Sequence, residues 1–278
     1  MDLMDIAARS PWWEKTMGQA NRKRETHAAL LAKGLGCIYC AGENVATTIE
    51  HMSPRSMFEG KQRPKGLEFP ACQTCNNNTG HSDLVAAMLS RAWPGAASEI
   101  QKRDLKKLLA AVSNNIPQVL SEMNIGRASE KIARKRHNIP VDAHPFRMDG
   151  PLLTAHLEAF AAKMGFALHY EVRGAAIPAS GGVKPMWFSN MQAMTGQIPD
   201  ILFQMLPSPS TLRQGAKSAG DQFLYSYATD ESGHMLYFAS FNESFAVGGI
   251  TAVDRSIFLD EHDDRFSVIR PGQFRRQV

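Results

Sequence analysis

Nowhere in the 278-residue chain do 18 apolar residues run consecutively, so no membrane-crossing helix is expected. The opening Met1-Asp2-Leu3-Met4-Asp5 is acidic and has no apolar signal-peptide segment behind it, so the expected location is the cytoplasm. Internal repeats and low-complexity tracts are lacking, which excludes solenoids and linker-like chains. The glycine-rich stretches at 180–182 and 248–249 fit no phosphate-cradling pattern. A strong charge of one sign is missing too: the net charge is +4. Cysteine is scarce, with four in the chain, and all four lie in two CxxC pairs, Cys37–Cys40 and Cys72–Cys75. In a reducing compartment such pairs favour a metal over disulfides.

Composition allows a sizeable core, at 44% hydrophobic and 21% charged. The length suits one large domain or two modest ones. Basic residues are unevenly spread. Residues 99–137 hold nine Lys/Arg against four acids, and Arg22-Lys23-Arg24 precedes the first CxxC. Such clusters neutralise phosphates or form solvated helix faces.

The pattern predicts a helix over 12–34, stopped by Gly34. Residues 35–75 read as knuckle, short strand at 47–51, polar loop, short strand at 67–69, and knuckle. A helix over 75–92 follows, broken at Pro94-Gly95. Residues 97–137 read as helical, with breaks at Pro117 and Gly126. The Pro- and Gly-rich joint around 139–151 marks the expected boundary between a helical half, 1–148, and an α+β half, 149–278. The second half opens with a helix from Leu152 to Met164. Alternation predicts strands at 166–172, 223–228, 234–241 and from Phe245, with a hairpin turn at 229–233.

Four cysteines as CxxC pairs suit a tetrahedral zinc site. The 31 residues between Cys40 and Cys72 exceed the roughly 15–20 of a zinc ribbon, so something is built between the knuckles. Glu50-His51 lies inside that spacer, and Cys75 runs directly into Asn76-Asn77-Asn78. An imidazole can take a proton from water near neutral pH. Carboxylate and amide oxygens suit Mg²⁺ or Mn²⁺. Asp83 lies seven positions after Asn76, nearly the same helical face, and His81 is on a neighbouring one.

The segment CIYC…TTIEHMSPRSMF…PACQTCNNNTGHSD resembles the HNH endonuclease family, in the subgroup with a four-cysteine zinc site and Asn for the last His. The resemblance covers residues 35–92, about one fifth of the chain. It implies a ββα-metal module with structural Zn²⁺ on Cys37, Cys40, Cys72 and Cys75. It also implies His51 as the base that activates water, and Glu50 and Asn76 as catalytic ligands of Mg²⁺ or Mn²⁺; the helical spacing adds Asp83 as a further candidate. The family's middle Asn has no counterpart in Gly-Leu-Glu-Phe-Pro-Ala before Cys72, so a backbone carbonyl is expected to orient His51. Arg55, Lys61, His81, Lys102, Lys106 and Arg134 are the candidate nucleic-acid contacts.

Plainer roles stand beside these. Asn76 would serve as a helix cap, His51 as a structural histidine, and Asp83 and His81 as exposed helix residues. His27 and the remaining scattered histidines read as surface or core. Met186-Trp187-Phe188 and the aromatics of 223–245 read as core.

The expected fold class is therefore α+β: a zinc-knuckled ββα-metal module in a helical N-terminal half, then an α+β region with antiparallel strands. The expected activity is divalent-ion-dependent hydrolysis of DNA phosphodiesters, duplex by default. The alternative is a zinc-stabilised nucleic-acid-binding protein with a degenerate, non-catalytic module. A sensing role for residues 149–278 rests on architecture alone.

Overall fold

The computed structural model describes residues 27–29, 31–32, 34–92, 98–137, 145–258 and 267–274. The basic cluster Arg22-Lys23-Arg24, most of the helix expected over 12–34, the break at Pro94-Gly95 and much of the 139–151 joint lie outside these residues. Among the described residues, no helix is long and apolar enough to cross a membrane.

The chain enters the described region through a short helical segment that carries His27. A 3-10 turn, Ile38–Cys40, follows, and Ala41 ends it in the left-handed conformation at φ 51°. Strand β1 (Thr48–His51) then pairs antiparallel with β2 (Glu68–Ala71) in a two-stranded sheet, with His51 opposite Glu68 and Glu50 opposite Phe69. Helix α1 (Gln73–Leu89) starts at once, with Cys72 as its N-cap. The order expected over 35–75 is thus present: knuckle, strand, loop, strand, knuckle.

Three helices follow: α2 (Glu99–Asn115), α3 (Pro117–Met123) and α4 (Arg127–His137). Ser98 and Gln101 form a capping box on α2. Pro117 starts α3, where a missing N–H costs nothing.

Helix α5 (Pro151–Arg173) corrects the sequence reading. The helix expected to stop at Met164 continues for two more turns and absorbs the strand expected at 166–172. The apolar residues Phe166, Leu168, Tyr170 and Val172 alternate, but Ala167 and His169 between them are buried as well. A helix buried all round carries no amphipathic stripe, so its period cannot be read. Gly165 is not a stop but a notch: a Cβ there would lie 2.8 Å from the Tyr237 ring and 2.9 Å from Val183. The true stop is Gly174, a left-handed C-cap at φ 67°.

After α5 come β3 (Gly182–Ser189), α6 (Asn190–Met194), α7 (Asp200–Met205), the small pair β4 (Arg213–Gln214) and β5 (Lys217–Ser218), then β6 (Leu224–Thr229), β7 (Met235–Phe241) and β8 (Phe245–Ala252). The main sheet is antiparallel in the order β3-β8-β7-β6. The β6–β7 hairpin turns where the Thr-Asp-Glu-Ser-Gly segment marked it. Strand β3 went unread because Pro185 and flanking glycines obscure it. As an edge strand it can hold a proline.

Helix α5 lies between the two halves. It packs on α1 on one side and on β3 and β8 on the other. The Tyr237 hydroxyl donates to the Ala161 carbonyl of α5 at 2.7 Å. One buried cluster runs continuously from Cys37 through Leu157, Phe160 and Phe166 to Tyr237 and Phe274. Trp187 packs against this cluster, while Phe188 sits in a smaller one with Ile198 and Leu202. Among the described residues, mixed helices and antiparallel sheets thus share a main core around α5, with the smaller cluster beside it.

Candidate functional site

The two CxxC pairs come together as their spacing implies. Cys37, Cys40, Cys72 and Cys75 are all buried, and their sulfurs lie within 4.8 Å of one another. Backbone N–H groups donate to two of them: Tyr39 to Cys37 and Cys75 to Cys72, each at 3.4 Å. Asn44 Nδ2 donates to Cys40 at 3.5 Å. A hydrogen bond with Cys75 lowers Cys37 to about 5, against the opposing effect of burial. The reciprocal bond raises Cys75. Four closely packed, buried soft donors with N–H groups aimed at their sulfurs fit a closed tetrahedral zinc site. The cluster can therefore hold a structural zinc, tying the Ile38–Cys40 turn to the start of α1.

Glu50 and His51 are neighbours on β1, so they face opposite sides of the hairpin. Glu50 turns inward and is 6% exposed. There it meets Lys163 of α5, whose fully buried ammonium lies 3.1 Å from Glu50 Oε1 and 2.6 Å from Asp83 Oδ2. Asp83 does share a face with Asn76, as the seven-residue spacing requires. What joins the two carboxylates, however, is an internal ammonium. Asn76 sits in the first turn of α1, and its Nδ2 donates to Thr48 Oγ1 at 3.2 Å. Lys163 thus stands between Glu50 and Asp83, on the side of the hairpin where the divalent ion was expected.

Electrostatics agree with this geometry. Burial works against the Lys163 charge, but Asp83 and Glu50 outweigh it and raise its pKa. Two carboxylates against one ammonium leave one negative charge in excess. Burial, reinforced by Glu50 and opposed by Lys163, pushes Asp83 up to about 7. Burial, followed by Glu50 and Asp83, likewise raises Tyr39 well above its ordinary range.

His51 turns outward at the end of β1, 21% exposed, and its Nε2 lies 3.7 Å from Glu68 Oε1 across the strand pair. Glu68 occupies the stretch where the sequence offered no middle Asn, so a side-chain carboxylate stands beside His51. His27 approaches from the other side, with Nε2 3.4 Å from Glu68 Oε2. The two imidazole rings are 5.7 Å apart, edge to face.

The loop after His51 is held by Arg63. Its buried guanidinium donates to the carbonyls of Ser53 and Met52, both at 2.7 Å, and to those of Pro64 at 2.9 Å, Gly66, and Leu67 at 3.4 Å. Five carbonyls from both ends of the β1–β2 connection therefore converge on one side chain. The sequence reading placed only a polar loop here.

The candidate nucleic-acid contacts divide. Arg55, Lys61, Lys102 and Lys106 are exposed. Asp104 of α2 accepts from the Gly60 N–H at 3.0 Å, and Gln101 donates to Glu59, so the Lys61 turn and the Lys102 helix are neighbours. Lys102 spends part of its charge on Glu99 at 2.8 Å. Arg134 pairs with Glu130 on its own helix at 2.7 Å. His81 lies at the α1–α5 interface, its ring 6.5 Å from that of His156.

Sequence reasoning missed Lys163, Glu68, His27 and Arg63. A signal existed for two of them. Lys163 is the one charge in the run from Ala159 to Leu168, and pairing the two short strands already read would have placed Glu68 opposite His51. No protein-family model, curated protein or solved structure matches the chain.

Proposed function

We propose that the chain is an endonuclease that hydrolyses DNA phosphodiester bonds at the outward face of the β1–β2 hairpin. In this reading the Cys37–Cys75 region is an HNH-type ββα module, stabilised by zinc. The observation that carries the proposal is the setting of His51: half-buried at an open strand end, beside Glu68, between the two cysteine knuckles and next to a loop clamped by Arg63. His51 takes a proton from water as the water oxygen bonds to phosphorus and the P–O bond to the leaving alkoxide breaks, the alkoxide taking up a proton from solvent water. Glu68, 3.7 Å from the imidazole, offsets the positive charge that it gains. Arg55, Lys61, Lys102 and Lys106 attract the phosphate backbone, so binding weakens with salt. A divalent cation, Mg²⁺ or Mn²⁺, belongs to this reading, with Glu50 and Asp83 paired to Lys163.

A second reading is favoured by Lys163 itself. An ammonium standing between Glu50 and Asp83 is what a degenerate module would contain, leaving a zinc-stabilised nucleic-acid-binding protein. The test is cleavage of plasmid and linear duplex DNA by zinc-loaded protein with Mg²⁺, Mn²⁺ or EDTA, wild type against His51→Ala. Cleavage that needs the divalent ion and is lost in a folded His51→Ala protein supports the nuclease. Salt-sensitive DNA binding without cleavage supports the binding protein.

A further inference from the structure

His27, His51 and Glu68 bring three ligand atoms within 4.8 Å of one another on the outward face of the hairpin. The spacings are informative. Glu68 presents one oxygen to each imidazole, at 3.4 Å from His27 Nε2 and 3.7 Å from His51 Nε2. Both exceed the roughly 2.7–3.2 Å of a good N–H···O bond. They are near the separation between donors on a tetrahedral ion, which is about 3.4 Å when each donor lies about 2.1 Å from the metal. His27 Nε2 is shielded from solvent and makes no hydrogen bond among the described residues. Both nitrogens of this pair are Nε2 atoms, and both turn towards the same carboxylate.

We infer that His27, His51 and Glu68 form a second metal site, distinct from the four-cysteine cluster and from Glu50–Lys163–Asp83. Two imidazoles and a carboxylate are intermediate donors, suited to a first-row transition dication such as Zn²⁺, Co²⁺ or Mn²⁺ and poorly suited to Mg²⁺. Three protein donors leave a coordination position open to a small ligand. The side chains are 24%, 21% and 18% exposed, for His27, His51 and Glu68 in turn, so the site lies just beneath the surface. The site reaches across three segments: the entry helix, β1 and β2. It would therefore fasten the chain before the first knuckle to the hairpin. The inference does not rest on the nuclease reading. It also constrains that reading, since an Nε2 lone pair that holds a metal cannot at the same time accept a proton.

The test counts ions on the full chain. Zinc-loaded protein with one equivalent on the cysteines is titrated with Co²⁺, by calorimetry and by visible absorption, with Mg²⁺ as competitor. The expected result is one further equivalent, lacking thiolate charge-transfer bands and undisturbed by Mg²⁺. Its affinity should fall at least tenfold in His27→Ala and again in Glu68→Gln. Circular dichroism and the thiolate bands of fully Co²⁺-substituted protein check that each variant is folded. A wild-type protein that binds no second equivalent, or folded variants that bind it unchanged, overturn the site. A second equivalent on a protein that cuts no DNA supports the site and counts against the nuclease. Cleavage by a protein with one equivalent does the reverse.

Discussion

Replacing Lys163 with methionine keeps most of the side-chain volume and removes the ammonium from between Glu50 and Asp83. The wild-type nitrogen is fully buried, 2.6 Å from one carboxylate and 3.1 Å from the other, so solvent cannot substitute for it. Breaking a buried ion pair by removing one partner costs about 3–5 kcal/mol, because the remaining charges stay desolvated. Two carboxylates would then face each other with no cation between them. The pH dependence gives the sign. Asp83 already lies at about 7 against an ordinary 3.8, owing to burial, then Glu50, against Lys163. A carboxyl raised in the folded state contributes stability below its unfolded pKa and loses it as pH rises through the folded one. For wild type that loss amounts to about 4 kcal/mol between pH 4 and pH 8. In Lys163→Met the repulsion is larger, so the variant should be weakest above pH 7 and recover as acid neutralises the pair. His156 and His169, held neutral to about 4 chiefly by burial, impose the opposite slope, but they do so equally in both proteins. Urea unfolding of zinc-loaded protein at pH 5, 6.5 and 8 measures the difference. The expected penalty is about 3–5 kcal/mol at pH 8 and clearly less at pH 5. Adding Asp83→Asn should restore much of it, a non-additive coupling. A penalty under about 1 kcal/mol, or one equal at all three pH values, would refute the reasoning.

Other outcomes follow from the same geometry. Cys72→Ser, or stripping with a strong chelator, should unfold the hairpin and lower the melting temperature, and zinc should reverse the chelator's effect but not the mutation's. Arg63→Ala leaves five backbone carbonyls without their donor. It should cost about 3 kcal/mol or more and make the segment after His51 the first site of limited proteolysis, whereas a surface arginine would cost under about 0.5 kcal/mol. Gly165→Ala drives a methyl into Tyr237 and Val183, so an overpacking loss of about 1–3 kcal/mol is expected in urea unfolding.

Local grammar carried the legible part of the fold. The knuckles, the two short strands, the helix that starts at the second knuckle, the breaks at Pro117 and Gly126 and the Thr229–Gly233 hairpin all depend on residues near one another in sequence. The long helix α5 was misread because complete burial erases periodicity, and its Gly165 marks a close approach to the sheet instead of an end. The site divided in the same way. The four cysteines were legible because ligand spacing is local. Glu50, Asn76 and Asp83 do share a side of the hairpin and helix, but their occupant comes from 80 residues beyond Asp83.

By itself, then, the sequence determined that four thiols converge, that Glu50 and His51 sit on a strand between them, and that basic helices follow. Those are consequences of chain connectivity and of period two and period 3.6. Only the tertiary structure decided which face each side chain serves. Alternation sends Glu50 to the core and His51 outward. The packing of α5 then sets Lys163 against Glu50 and Asp83, because a buried pair of acids requires a positive partner. The hairpin register brings Glu68 to His51, and the entry helix adds His27. Such meetings between distant segments have no signature in the order of residues, since each depends on how separately formed elements come to lie against one another.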